Sequence, residues 1–179
     1  MATVNITPSS TVSNDWTIFG GSGTVHQNLA DSSDSSYIYT ADQNDVAIVA
    51  LLDSSSYASP STIDSIRFYI RGVYTNTRSG NTDIQVILTD ASASTYYAET
   101  VTLNFTAGYA PEDHYGTART TSNGSTAWTT SDINGLRLNI NTNPEDPSGA
   151  GYAQVVKAYV EVTYTEGVVD DAIFFGHNF

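Results

Sequence analysis

Four aspartates, Asp31, Asp34, Asp42 and Asp45, stand close together in a serine-rich stretch. The run Asp31-Ser32-Ser33-Asp34-Ser35-Ser36-Tyr37 offers carboxylates, hydroxyls and backbone carbonyls at short spacing. Calcium takes oxygen ligands of this kind from turn-rich backbone. The run lacks the glycine and the distal glutamate of an EF-hand loop, and the same residues suit Asx and serine turns in a connector. Turns are therefore the plain reading. A structural calcium held by Asp31, Asp34 and neighbouring carbonyls is the alternative, and no other cofactor is expected.

A second cluster, Glu112-Asp113-His114-Tyr115, sets carboxylates beside a histidine. Such a pair can poise acid–base work, but the plain reading is a solvated loop between strands. His26, His114 and His177 form no closely spaced pair, which argues against zinc. Gly20-Gly21-Ser22-Gly23-Thr24 fails the last glycine of a nucleophile elbow. Gly21-Ser22-Gly23 lacks the third glycine of a dinucleotide fingerprint, and Lys157, the only lysine, sits in no phosphate-binding loop. There is no cysteine to serve as nucleophile, ligand or staple. No enzyme is expected.

Trp16, Trp128 and the 12 tyrosines remain. Aromatic side chains join an apolar body to a polar tip, which suits carbohydrate, yet large aromatics in a β-protein are more often core. Trp16 is expected in the core. Trp128, in a threonine-rich turn region, is expected either there or on a ligand face.

The elements that would position these residues are strands. Apolar and polar residues alternate at Ile66, Phe68 and Ile70 against Arg67, Tyr69 and Arg71, within 63–74. Ile84, Val86 and Leu88 share one face, as do Tyr97, Val101, Leu103 and Phe105, and again Leu136, Leu138 and Ile140. In 152–164, Val156, Ala158, Val160, Val162 and Tyr164 oppose Lys157, Tyr159, Glu161 and Thr163. The segment 45–52 is apolar on both faces and reads as a central or covered strand. Short candidates lie at 3–7, 16–19 and 37–40, and no helix-period segment of useful length is visible. Turn-forming runs such as 78–81, 123–124, 134–135 and 144–149 separate these segments. About eight antiparallel strands predict an all-β sandwich, most simply of jelly-roll type. Ile66, Phe68, Ile70, Val86, Val101, Leu103, Leu138, Val160 and Val162 form its expected core.

Composition agrees. The 179 residues suffice for one domain with a real core, and 40% are hydrophobic. Net charge is -13 at pH 7, so nucleic acid and anionic membrane are poor partners. The N-terminus has no secretory pattern, and no apolar run is long enough to span a bilayer. A cytoplasmic origin is expected, which makes the Asn-x-Ser/Thr matches at Asn5, Asn104 and Asn123 accidental. Residues 1–165 read as the sandwich domain and 166–179 as a C-terminal extension. That extension carries Ile173, Phe174, Phe175 and Phe179. An apolar cluster at a terminus either folds back on its own domain or docks onto another chain; docking is the expectation.

Asp15-Trp16-Thr17, the run Leu29 to Ile38, Trp128 to Leu138 and Ala158 to Tyr164 together resemble small β-sandwich virion proteins of tailed bacteriophages, over most of residues 10–165. The resemblance implies a non-enzymatic structural protein, a capsid decoration or cement protein on the particle exterior. It would be a homo-oligomer held to the major capsid protein or another virion protein and assembled in the host cytoplasm. The second hypothesis is a glycan- or receptor-binding module of a tail fibre or adhesin, with Trp128 on its ligand face. Fold alone divides neither from the other.

Overall fold

The structure is a computed structural model, and it describes residues 1–20, 23–31, 33–42, 44–51, 61–76, 81–104, 110–122, 124–142 and 151–167. The alternating segments become strands, because period-2 patterning buries one face of a pleated ribbon and leaves the other to solvent. In chain order the strands are β1 Ala2–Ile6, β2 Pro8–Asn14, β3 Thr17–Phe19, β4 Tyr37–Thr40, β5 Val46–Leu51, β6 Ser61–Asn76, β7 Asn81–Thr89 and β8 Thr95–Asn104. There follow β9 Glu112–Tyr115, β10 Thr121–Ser122, β11 Thr126–Ala127, β12 Arg137–Thr142 and β13 Gly151–Glu166. Two short helices interrupt them, α1 Val25–Ala30 and α2 Thr130–Asn134.

Two sheets face one another. One runs β3-β4-β13-β6-β9, with β1 pairing beside β4 along β13; the other runs β2-β5-β12-β7-β8. All pairings between named strands are antiparallel. The chain passes repeatedly from one sheet to the other, the habit of a jelly roll. Between the sheets lie Ile66, Phe68, Ile70, Val86, Val101, Leu103, Leu138, Val160 and Val162, all buried as their alternation predicts. β5 lies inside its sheet between β2 and β12, the central place expected of it; Ala47, Val49 and Leu51 are buried, whereas Val46, Ile48 and Ala50 on the other face are only half-buried.

Expectation and structure differ in four places. Thirteen strands are present among the described residues rather than about eight. The additions are short or polar; β2, Pro-Ser-Ser-Thr-Val-Ser-Asn, lacks apolar alternation and is held by its pairing with β5. The segment 112–115 is not a loop but the strand β9, paired along β6. The two helices have only 6 and 5 residues, too few to display a 3.6-residue period. Each carries a capping box instead: Gln27 Oε1 accepts the Thr24 N–H at 2.8 Å, and Asp132 Oδ2 accepts the Thr129 N–H at 2.8 Å.

The fourth difference is Val156, which the alternation of 152–164 sets on one face with Val160 and Val162. The ladder of β13 against β6 steps from Val155–Gly72 to Lys157–Arg71, leaving Val156 as an extra residue. This bulge resets the alternation. Ala153 and Val155 face the core before it, and Ala158 and Val160 after it. Val156 is buried outside that core, at the base of a surface depression. Phe105 and residues 168–179 lie outside the described residues.

Candidate ligand-binding face

The outward face of the β13–β6–β9 sheet gathers the polar halves of the alternating segments. In antiparallel pairing, residues directly opposite each other point to the same side. Lys157, Arg71 and Asp113 therefore form one cross-strand row, and Tyr159, Tyr69 and Tyr115 form the next. Glu161 and Arg67 continue the pattern.

The tyrosine row is packed ring to ring. Tyr69 and Tyr159 stack with centroids 4.3 Å apart, and Tyr115 meets Tyr69 edge-on at 5.1 Å. The Arg67 guanidinium lies 4.5 Å over the Tyr115 ring, and its Nε reaches Glu161 Oε1 at 2.6 Å. Tyr69 and Tyr159 are largely buried by these neighbours, whereas Tyr115 keeps 51% of its surface exposed.

The next row is an ion cluster. Arg71 donates to Asp113 Oδ1 at 2.7 Å and, through Nε and Nη2, to both oxygens of Asp34 at 3.0 and 2.8 Å. The Tyr69 hydroxyl donates to the same Asp113 oxygen at 2.8 Å. The Arg71 guanidinium holds the Asp34 carboxyl below the usual carboxylate range. Arg71 and then Tyr69 do the same for Asp113. Burial pushes both stacked tyrosines up, Tyr159 to about 12, so their hydroxyls stay protonated at neutral pH. Asp34, Tyr69, Arg71, Asp113, Val156 and Lys157 together line an open depression of about 460 Å³.

Beyond the depression lies a second aromatic group. Phe19 stacks on Tyr37 at 4.8 Å, Tyr37 meets Tyr39 at 6.0 Å, and Tyr39 meets Tyr152 at 5.4 Å. Phe19 is 53% and Tyr152 42% exposed. Gly20 holds the turn behind Phe19 at φ +76°, and a Cβ there would lie 2.0 Å from the Ser35 carbonyl oxygen. One sheet face thus carries two groups of partly exposed rings with a charged depression between them.

The residues singled out from the sequence divide. Asp34 belongs to this face, but as the bidentate partner of Arg71. Asp31 closes a serine turn: Oδ1 accepts the Ser33 N–H at 2.8 Å and Oδ2 accepts the Ser36 hydroxyl. Asp45 accepts the Thr40 hydroxyl, while the Asp42 N–H is received by Thr40 Oγ1. A cation at Asp34 would have to displace Arg71, and no group of three or more candidate ligands occurs among the described residues.

Trp128 is core rather than ligand face. It is 4% exposed, its Nε1 donates to the Arg119 carbonyl at 2.9 Å, and its ring meets Tyr96 at 5.0 Å. Trp16 is buried as expected. His114 pairs with Ile70 and so turns toward the core side of the sheet, away from Asp113. Burial lowers its pKa, and its Nε2 has no hydrogen-bond partner. The 112–115 cluster is thereby split between two faces. The interface residues Ile173, Phe174, Phe175 and Phe179 lie outside the described residues.

Alternation alone sends Arg67, Tyr69 and Arg71, and Lys157, Tyr159 and Glu161, to the outward side. It does not join them into a site, because which strands are neighbours is a property of topology.

No family model matches this chain, and no curated protein matches it. Solved structures do. The CBM36-1 domain of a multidomain xylanase from the hindgut metagenome of Trinervitermes trinervoides has a TM-score of 0.41 at 12% identity, covering 93% of this chain and 98% of that one. The CBM22-1 xylan-binding domain of Paenibacillus barcinonensis Xyn10C gives 0.43 at 9%, covering 92% and 95%. The Agl-KA catalytic domain gives 0.49 at 11%, and this chain spans only 28% of its length. At identities this low, what this chain does rests on its own residues.

Proposed function

We propose that this β-sandwich is a glycan-binding module, and that it binds saccharide across the outward face of the β13–β6–β9 sheet. One observation carries the proposal: exposed aromatic rings on that face flank an ion-paired, hydroxyl-bearing depression. Pyranose rings present patches of C–H that pack on aromatic rings, while their hydroxyls need directional polar partners. Phe19, Tyr152 and Tyr115 supply accessible rings. Asp34, Asp113 and Arg71, locked by their mutual hydrogen bonds, supply a polar group that needs little reorganisation on binding. This favours the adhesin-type hypothesis over capsid decoration, for which nothing on this face speaks.

The test is binding to a panel of immobilised polysaccharides, followed by titration calorimetry with the oligosaccharides retained. Phe19→Ala, Tyr115→Ala and Tyr152→Ala should each weaken binding by roughly three- to tenfold, on the scale of a lost aromatic contact. Their melting temperatures should hardly move, because exposed side chains contribute little to stability. Failure to retain any glycan, or retention indifferent to all three substitutions, would sink the proposal.

A further inference from the structure

Lys157 is the only lysine of a chain with net charge -13. With Arg67 and Arg71 it places three of the six cationic side chains on one sheet face. The two arginines are spent. Arg67 is paired with Glu161, and Arg71 with both Asp34 and Asp113. Among the described residues Lys157 contacts no carboxylate; its Nζ lies 6.0 Å from the Tyr159 ring centroid, at the edge of cation–π range.

Its position is built rather than accidental. The bulge at Val156 delivers Val156 and Lys157 in succession to the outer side of β13, and both line the depression. Bulges commonly re-aim a side chain next to a functional site. Lys157 is also half-buried, and it lines the depression with Val156 beside it. The Asp34 and Asp113 charges beside it are neutralised in part by Arg71. Lys157 balances the remaining carboxylate charge only through space, so among the described residues it is the cation of the depression that contacts no carboxylate, beside the stacked Tyr69–Tyr159 pair.

We infer that the glycan taken by this face is acidic, and that Lys157 binds the carboxylate of a uronic acid residue seated in the depression. This rests on the glycan-binding reading above and specifies its ligand. A uronic acid joins the two features the depression offers: a pyranose C–H face for the tyrosines, and a carboxylate to accept from an ammonium.

The experiment compares ligands of one backbone and linkage: cello-oligosaccharides, the corresponding glucuronan oligosaccharides oxidised at C6, and their 6-sulfated forms. Affinities are measured by calorimetry on the full chain at low and high salt. The glucuronan oligosaccharide should bind roughly tenfold more tightly than the neutral one, as one charge-assisted contact would give. That ratio should shrink at high salt. Lys157→Gln should bring it close to one, and Lys157→Arg should retain most of it. Thermal melts confirm that both variants fold. Neutral and acidic ligands bound equally, or a preference that survives Lys157→Gln, overturns this inference and leaves the glycan-binding module standing. Preference for the sulfated ligand alone overturns the carboxylate assignment. Binding of none of the three ligands overturns this inference, and failure of the whole polysaccharide panel as well overturns the module.

Discussion

At the scale of single residues, burial separates side chains that hold the fold from side chains that face a ligand. Trp128 and Tyr115 are both aromatic, yet one is sealed between Tyr96 and the Arg119 carbonyl while the other is half exposed. Trp128→Ala should therefore cost about 3–5 kcal/mol, the usual penalty for emptying a large aromatic site. Chemical denaturation would read this as a lower midpoint, and a loss under 1 kcal/mol would contradict the core assignment. Gly116 makes a similar point. A Cβ there would sit 2.4 Å from the Phe68 ring, so the close approach of the 116 backbone to the core requires glycine. Gly116→Ala should cost roughly 1–3 kcal/mol by overpacking, read in the same assay.

At the scale of elements, the bulge in β13 decides which residues meet the ligand. Val155 and Lys157 already pair with the adjacent residues Gly72 and Arg71. Deleting Val156 should close the ladder into regular pairing and keep a cooperative melt. Deleting Ala158 instead should throw every core residue on one side of the cut onto the wrong face, since one residue of slip inverts the alternation. A cooperative transition for the first variant and none for the second is the expected pair of results by circular dichroism. The sequence itself carried this strand and its two-residue period but not the bulge. Nothing in Val155-Val156-Lys157 announces an irregularity; it appears only when the partner strand is one residue shorter over the same stretch.

At the scale of the whole molecule, stability should fall with acidification in two stages. His114 is held neutral by burial, its folded pKa below the unfolded value of about 6.5. Between those two values the unfolded chain binds more protons than the folded one, so stability drops as pH falls through that window. Asp34 and Asp113 act lower down. Their folded pKa values lie below the unfolded value of about 3.9, so their contribution is intact above it and disappears as pH falls through the folded values. Both carboxylates are about half exposed, with side-chain exposures of 50% and 49%, so this second stage is small, about 1 kcal/mol or less per pair. Melting temperature against pH should show the two stages, and His114→Gln should remove the first. A first stage unchanged in that variant would contradict the inward placement of the ring.

What the sequence determined by itself was what alternation can encode. The strands β6, β7, β8, β12 and β13, the nine core residues among them, and the sorting of Arg67, Tyr69, Arg71, Lys157, Tyr159 and Glu161 to the outer side all follow from a local period of two, and β5 from a short unbroken apolar run. Each depends only on residues a few positions apart. Tertiary structure decided everything that depends on which strands lie side by side. Tyr69, Tyr115 and Tyr159 are far apart in the chain and share a row only because β9, β6 and β13 are neighbours in register. Asp34 was legible as a carboxylate in a turn, but its partner Arg71 lies 37 residues on, so the same residue reads as a calcium ligand in sequence and as an arginine clamp in space. Trp128 suits core or surface by its sequence neighbours, and the Arg119 carbonyl at its indole nitrogen is supplied only by the fold. Long-range pairing is bought with loop entropy rather than with local propensity, and it leaves no local mark on the residues it brings together.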